Sequence, residues 1–286
     1  MNIEVPDWST TELDVMRVGL GFVVIRMFSG IQTFRPSGEA PFPVGIARLL
    51  DLRWAASRYA VRWMQYGAYA AALCYAAGLV VPFALLFLAA AALVEVSFRS
   101  SYGAVNHGQH LLAVVLVAQA AAMALWNAAA QWDWNLSHVL ADSQQATAVW
   151  WAIQAIVCVY FTSGLSKLLN TDAHWIRRSP ALLLSAYGRI DTDEMVAKGG
   201  WQTSRRSDAL ISWLFDRATL AQAVFAAGLF VELAAPIGLL GKIALTGIGI
   251  ALIALHKGNR VLLGLPFPEF QWLVFIYLVN LPQFLR

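Results

Sequence analysis

The chain has 286 residues, of which 59% are hydrophobic and 13% are charged, and its formal net charge at pH 7 is +3. Long apolar runs recur along the whole length, which is typical of a polytopic membrane protein and excludes an ordinary soluble globular one. The sequence contains no phosphate-binding loop and no nucleic-acid-binding module, so we expect membrane lipid rather than nucleic acid as a partner.

The apolar runs predict an all-α fold. They are continuous and rich in Ala and Leu rather than alternating, and inside lipid only helices and closed barrels satisfy the backbone hydrogen bonds. We therefore predict a polytopic helical bundle with about eight transmembrane helices, forming one domain over residues 1–286 of a multi-pass protein of the bacterial inner membrane. The predicted spans are Val15 to Phe34, Trp63 to Val81, Pro82 to Phe98, Leu111 to Ala129, Ala148 to Leu169, Leu220 to Leu240, Ile243 to His256 and Gln271 to Leu285.

The N-terminal half carries charged residues inside the predicted spans. Its first fifteen residues are polar and acidic, so we expect no cleavable signal peptide and assign membrane targeting to the first span. Arg17, Arg26 and Glu95 lie within spans, where a lone buried charge is unfavourable. We expect these residues to form structural pairs, for instance Arg26 with Glu95.

Two histidines lie near the start of the fourth span. The run "SYGAVNHGQHLL" places His107 and His110 on one helical face, close to the membrane boundary. Histidine can accept a proton or orient a base, and a hydrogen-bonded packing role is the alternative interpretation. The spacing permits two metal ligands, but no second pair repeats it among five histidines, so we predict no metal site.

Lys167 lies in "VWWAIQAIVCVYFTSGLSKLL", a stretch otherwise apolar enough to span a bilayer. A charged side chain is costly there, and burial favours the neutral amine, which can act as a base. The alternative is a lysine that extends from the helix end towards the lipid headgroups.

A stripe of small and polar residues accompanies this lysine. Tyr160, Ser163, Gly164 and Lys167 share one helical face, because residues three, four and seven apart lie above one another. The small residues would let a neighbouring helix approach, and Tyr160 could hydrogen-bond towards a cavity that holds the amine. Ordinary helix packing is the other interpretation of this stripe.

The loop at residues 170–219 is the one sizeable predicted extramembrane segment. We predict that Pro180 starts an interfacial helix from Ser179 to Tyr187 that acts as a lid, with a solvated connector as the alternative. With eight spans, fifteen Lys and Arg residues fall in loops on the side of this loop, and two fall on the other. The positive-inside rule then places the loop in the cytoplasm and both termini outside.

The later spans supply two further polar candidates. Glu232 is embedded in the apolar run "FVELAAPIGLL", and Pro236 removes the hydrogen bond that would reach the Glu232 carbonyl. A kink with a free carbonyl beside a carboxylate predicts a polar pocket. His256 ends the seventh span, in "IALIALHKGN".

The run "QAIVCVYFTSGLSKLLNTDAHWIRRSPALLLSAYG" resembles the core signature of the horizontally transferred transmembrane (HTTM) domain, the membrane module of vitamin K-dependent gamma-carboxylase. In that family an aromatic-rich span ends in Gly-x-x-Lys-Leu, followed by an aspartate and a tryptophan, here Gly164, Lys167, Leu168, Asp172 and Trp175. Later, "ELAAPIGLL" is similar to the family's Glu-x-x-x-Pro span, and "ALHKGNRVLLGLPFPEFQWLVFIYL" is similar to its histidine-containing final region. The resemblance covers nearly the whole chain.

The resemblance implies a lysine that acts as a base towards reduced menaquinone or a vitamin K-type quinol. Oxygenation of that quinol generates a stronger base, which abstracts a proton from a substrate glutamate for carboxylation. The candidate catalytic residues are Lys167 and His107, and the candidate cofactor-binding residues are Tyr160, Ser163, Glu232 and His256.

Two functions are consistent with these residues and this resemblance. The first is a quinol-dependent, carboxylase- or oxygenase-like lyase that modifies a peptide. The second is a non-catalytic membrane accessory that supports maturation of a secreted peptide or holds a quinone-reducing partner protein. The family's carboxylases use a large extramembrane domain, which we do not expect within these residues. Their active-site loop also faces the lumen, opposite to the side that the charges predict for residues 170–219.

Overall fold

The computed structural model describes residues 6–30, 43–49, 57–102, 107–129, 142–172, 174–183, 205–263, 265 and 267–284. Within these ranges the chain forms helices and no strand, which confirms the all-α class. The chain divides into two compact units, which are Met1–Ile156 with Pro268–Arg286, and Val157–Phe267. We call them unit 1 and unit 2. The predicted single membrane domain over the whole chain stays a prediction.

Unit 1 is built from consecutive helices that pack on their neighbours in the chain. Ser9 starts the first helix with a capping box, in which its side chain accepts from the Glu12 N–H and the Glu12 carboxylate accepts from the Ser9 N–H. The first helix packs against the second, the second against the third, and the third against the fourth. The helices are α1 (Thr10–Ser29), α2 (Arg58–Ala76), α3 (Val81–Ser101), α4 (His107–Ala129) and the first part of α5 (Asp142–Leu169).

The C-terminal segment of the chain completes unit 1. Helix α10 (Pro268–Val274) continues into a π-helical turn (Phe275–Val279), and the chain then breaks at Asn280, whose φ is 44°. A short 3-10 helix (Leu281–Phe284) follows. These elements pack on α1, and α10 also packs on α4. The span predicted from Gln271 to Leu285 is therefore interrupted within the described residues.

A buried polar chain joins three elements of unit 1. The Tyr75 hydroxyl donates to Gln119 Oε1 at 2.8 Å, and Gln119 Nε2 donates to the Tyr277 hydroxyl at 2.5 Å. All three side chains are buried. Buried polar groups are unfavourable unless they are hydrogen-bonded, so this chain satisfies the polar atoms that α2, α4 and the π-helical turn bring into the core.

The charges of unit 1 pair locally. Arg17 forms an ion pair with Asp14 at 2.8 Å, which confirms its predicted structural pairing. The predicted pair of Arg26 with Glu95 is wrong, because Glu95 forms its ion pair with Arg99, one turn further along α3, and Arg26 is exposed. Four residues of separation place two side chains on the same helical face, which favours the local partner.

Unit 2 begins within α5, at Val157. Its further helices are α6 (Trp175–Arg178), α7 (Arg205–Phe215), α8 (Ala218–Ala234) and α9 (Lys242–Leu263). Helix α8 continues into a 3-10 helix (Ala235–Leu240) before the turn into α9. Helix α8 packs against α6, α7 and α9, and it is therefore the element on which the rest of unit 2 assembles.

Four helical segments are long and apolar enough to cross a membrane among the described residues. They are Val81–Ser101, His107–Trp126, Ser143–Leu169 and Ala218–Leu240. Helix α1 has a span's length but carries four charged residues, namely Glu12, Asp14, Arg17 and Arg26. The structure thus supports a helical, membrane-type protein, and four of the eight predicted spans.

The structure bears on two local predictions in unit 2, which concern the Glu232 carbonyl and the lid helix. The prediction of a free Glu232 carbonyl is wrong, because the helix tightens to 3-10 geometry and the Ala235 N–H bonds that carbonyl instead. The lid helix predicted from Ser179 to Tyr187 lies partly outside the described residues. Its first residues follow α6, and Leu183 is buried in the core of unit 2.

Candidate functional site

Lys167 lies in the last turn of α5, and its side chain is 30% exposed. Its amine Nζ lies 2.5 Å from Glu232 Oε1 and also contacts Oε2 of the same carboxylate. The Glu232 side chain is only 9% exposed. The sequence named both residues as candidates, and the structure joins them as an ion pair between α5 and α8.

Gly164 explains how the two helices come close enough for this pair. A Cβ added at Gly164 would lie 3.1 Å from Glu232 Cβ and 3.1 Å from Leu233 Cγ. Any larger residue would therefore push α8 away. The prediction that a small residue lets a neighbouring helix approach is confirmed at Gly164, one turn before Lys167.

Glu232 lies in the last turn of α8, but inside the longer candidate span that α8 and the following 3-10 helix form together. Glu232 comes fourteen residues after Ala218 and eight before Leu240, the limits of a candidate membrane span. At about 1.5 Å per residue in the α-helix and about 2.0 Å in the 3-10 helix, these separations are about 21 Å and about 15 Å. Glu232 therefore lies in the interior of its candidate span, whereas Lys167 comes two residues before the end of its own span, Ser143–Leu169. A buried base and a lysine that extends to the lipid headgroups both stay predictions for Lys167.

Trp175 is a neighbour of the pair that sequence reasoning did not assign. Lys167 Nζ lies 5.4 Å from the centroid of the Trp175 ring, within the range of a cation–π interaction. The chain reaches this position because Asp172 has a φ of 49°, and aspartate tolerates this left-handed conformation better than most residues. The family resemblance named Asp172 and Trp175, but no spacing in the sequence indicates the ring contact.

A second polar pair lies on the same face of α5. Tyr160 is seven residues before Lys167, which is two helical turns, and its hydroxyl lies 2.5 Å from His256 Nε2. Both side chains are buried. The Phe267 ring packs edge-on against the His256 imidazole, with 5.4 Å between ring centroids. The sequence named Tyr160 and His256 without indicating that they bond each other.

The remaining candidates are placed differently. Ser163 is half-buried on α5 and makes no side-chain hydrogen bond within the described part of the chain. His107 belongs to unit 1, where its side chain is exposed at the start of α4 and its ring centroid lies 6.4 Å from that of His110. The predicted role of His107 beside Lys167 therefore stays a prediction. No three His, Cys, Asp or Glu residues within the described ranges are placed to hold a metal ion.

The site offers acid–base chemistry in apolar surroundings. Lys167 and Glu232 together carry no net charge, and one can give the proton that the other takes. Tyr160 and His256 add a hydroxyl and an imidazole, both of which can donate or accept a hydrogen bond. Trp175 and Phe267 add flat aromatic rings. This donor and acceptor set fits the hydroxyl groups and the ring of a quinol.

Comparison of the chain with protein-family models, with curated proteins and with solved structures finds no match. The fold and the site therefore define a class rather than a family. Within the described residues, the class is an all-α protein with four apolar helices of spanning length and an ion pair that joins two of them.

Proposed function

We propose that this chain is a multi-pass inner-membrane protein that binds a quinol at the cluster around Lys167 and acts as a quinol-dependent enzyme on a peptide. One observation carries the proposal. An amine near the end of one candidate membrane span forms an ion pair with a carboxylate in the interior of another, and ionisable residues within spans are expensive and mostly functional. The resemblance to the HTTM domain supports the same ligand class.

The proposal includes eight spans, of which four are the apolar helices described above. The other four would be formed by α1, α2, α9 and the C-terminal segment. Helix α9 has 22 residues and α1 has 20, so each is long enough to cross a hydrocarbon core of about 30 Å. The charges of α1 that oppose insertion are paired in part, as the contact of Arg17 with Asp14 shows.

Each residue of the cluster has a role in this proposal. A quinol supplies two electrons and two protons when it is oxidised. Lys167 and Glu232 would hydrogen-bond one quinol hydroxyl. The Lys167 ammonium would first pass a proton to the Glu232 carboxylate, and the neutral amine would then take the proton of the hydroxyl. Tyr160 and His256 would hydrogen-bond the second oxygen or position the ring. The carboxylase- or oxygenase-like lyase chemistry and a role for His107 come from the resemblance.

The test is the melting temperature of the purified chain in detergent, with and without reduced menaquinone. We expect the quinol to raise the melting temperature of the wild type, since a ligand that binds only the folded state stabilises it. We expect Lys167→Met to lose this rise, because methionine keeps most of the bulk and removes the amine.

The matched control is Lys257→Met, which removes an exposed lysine one residue after His256. It should retain the full quinol-dependent rise. If reduced menaquinone stabilises neither the wild type nor Lys257→Met while both are folded, the quinol site is wrong. An equal rise in Lys167→Met would place the quinol elsewhere.

A second function has an observation of its own. Lys167 Nζ contacts both carboxylate oxygens of Glu232, and Gly164 brings the two helices into close contact. This arrangement is also expected of an ion pair whose role is to hold two helices together. The chain would then be a non-catalytic accessory for a secreted peptide or a quinone-reducing protein. In that case Lys167→Met would still co-purify with the partner and would show no change in quinol protection.

A further inference from the structure

Helix α7 buries only part of its apolar surface inside unit 2. On the buried face, Ile211 and Leu214 are buried. They pack into a core with Leu183, Ala221, Phe225 and Leu262. Beside this face, Leu210 and Trp213 are exposed on one flank and Phe215 is exposed on the opposite flank, and Trp213 is 45% exposed. An amphipathic helix with exposed apolar side chains of this kind is typical of a membrane surface.

The position of α7 in the chain also indicates a membrane surface. Phe215 ends the helix, and the candidate membrane span Ala218–Leu240 begins three residues later. Helix α6 lies at the same level, because Gln222 Nε2 in the first turns of α8 donates to the Arg177 carbonyl at 3.4 Å. Helices α6 and α7 therefore surround the end of a span, where membrane meets water.

The exposed charges beside α7 are mostly positive. Arg217 lies over the Trp213 ring, with 4.6 Å from its guanidinium carbon to the ring centroid, and its Nη1 donates to the Trp213 carbonyl at 3.0 Å. Its side chain, like those of Arg177 and Arg178 on α6, is exposed. Asp216 is an exposed acidic residue beside them. Among the described side chains of α6 and of the end of α7, three guanidinium groups thus stand against one carboxylate.

We propose that this end of unit 2 binds the headgroup of an anionic phospholipid, through Leu210, Trp213 and Arg217 at the end of α7 and through Arg177 and Arg178 on α6. Tryptophan concentrates at the membrane–water interface, where its ring is apolar and its N–H is polar. The planar guanidinium group matches the geometry of a phosphate. The exposed Leu210 side chain, about one helical turn before Trp213, would rest against the acyl chains.

Charge selects the lipid class. A zwitterionic headgroup offers a phosphate beside a compensating ammonium, whereas phosphatidylglycerol keeps its negative charge. Each arginine near an anionic surface adds attraction that salt weakens. A soluble acidic partner would not need the exposed tryptophan at the boundary of a span, so the lipid fits both the charge and the apolar part of the surface.

The experiment uses the full chain in detergent and measures binding of fluorescently labelled phosphatidylglycerol and phosphatidylcholine by anisotropy. We expect tighter binding of phosphatidylglycerol by the wild type. Arg217→Gln should weaken that binding about fivefold, the equivalent of one interfacial arginine. Glutamine can still donate to the Trp213 carbonyl, so the end of α7 keeps its hydrogen bond. Adding Arg177→Gln and Arg178→Gln should remove the preference.

The control is Arg26→Gln, which removes an exposed arginine of unit 1 and should leave the preference unchanged. Equal binding of the two lipids by the wild type would overturn the proposal. So would a phosphatidylglycerol preference that survives in the triple variant while its melting temperature is normal. Competition by inorganic phosphate as effective as that by phosphatidylglycerol would show a general anion site and would also overturn it.

Discussion

At the scale of single residues, the contact between Lys167 and Glu232 predicts unequal effects of removing its two partners. Lys167→Met leaves a carboxylate that is 9% exposed, whereas Glu232→Gln leaves an amine that is 30% exposed and reaches water more easily. Breaking a fully buried pair costs about 3–5 kcal/mol. We expect Lys167→Met to lower the free energy of unfolding by about 3 kcal/mol, and Glu232→Gln to lower it by less.

The double variant Lys167→Met/Glu232→Gln should be less destabilised than the sum of the single variants, because it leaves no unpaired charge. The measurement is thermal unfolding in detergent without quinol, with Lys257→Met as the reference. Strict additivity would show that the contact contributes nothing to stability. If the double variant is stable but its melting temperature no longer rises with quinol, the loss reflects missing contacts with the quinol and not a change in folding stability.

The sequence predicted the identity of the residues in this cluster better than the contacts between them. Tyr160 and Lys167 share a helical face because of their spacing, which needs no tertiary information. Their partners are 96 and 65 positions away in the chain, so the contacts depend on how α5, α8 and α9 pack. The predicted pair of Arg26 with Glu95 failed for the opposite reason, because the true partner of Glu95 is local in the chain. The predicted span ended at Phe98 and so left Arg99 outside it.

At the scale of elements, Gly164 predicts how tightly α5 and α8 can pack. Gly164→Ala would place a methyl group 3.1 Å from Glu232 Cβ, closer than a normal carbon–carbon contact. We expect a loss of about 1–3 kcal/mol from this overpacking. Since the separation of the helices sets the ion pair, the quinol-dependent stabilisation should fall as well.

Gly247 on α9 is the matched control for this substitution. A Cβ added there meets no atom within 4 Å. Gly247→Ala should raise stability by about 0.5–1 kcal/mol, because alanine loses less conformational entropy in a helix. Both variants are measured by thermal unfolding in the same detergent. Equal effects of the two substitutions would mean that α5 and α8 have room to separate.

The helices with long apolar runs were predictable, and the helices with mixed composition were not. The predicted spans from Pro82 to Phe98 and from Leu220 to Leu240 fall within candidate spans of the structure, because hydrophobicity alone defines them. Helix α7 was missed, since its short sequence alternates buried and exposed apolar residues around serines. Its shape depends on the core that Ile211 and Leu214 enter.

At the scale of the whole molecule, the number of spans decides on which side of the membrane each segment lies. Leu49 is exposed and comes after α1 and before α2. If α1 crosses the membrane, as eight spans require, Leu49 is on the opposite side from Asp7. If only the four apolar helices cross, no crossing separates these two residues, and they share a side.

Single cysteines at Asp7, Leu49 and Ser212, introduced into a variant without Cys74 and Cys158, test this directly. All three positions are exposed, so each should react with a membrane-impermeant maleimide wherever it meets that reagent. With eight spans and the positive-inside orientation, we expect Asp7→Cys to react in intact cells, and Leu49→Cys and Ser212→Cys to react only after permeabilisation. Reaction of Leu49→Cys together with Asp7→Cys would contradict eight spans. Reaction of Ser212→Cys from outside would instead reverse the orientation, to the one that the carboxylase resemblance implies, and would place Trp213 and Arg217 at the outer surface.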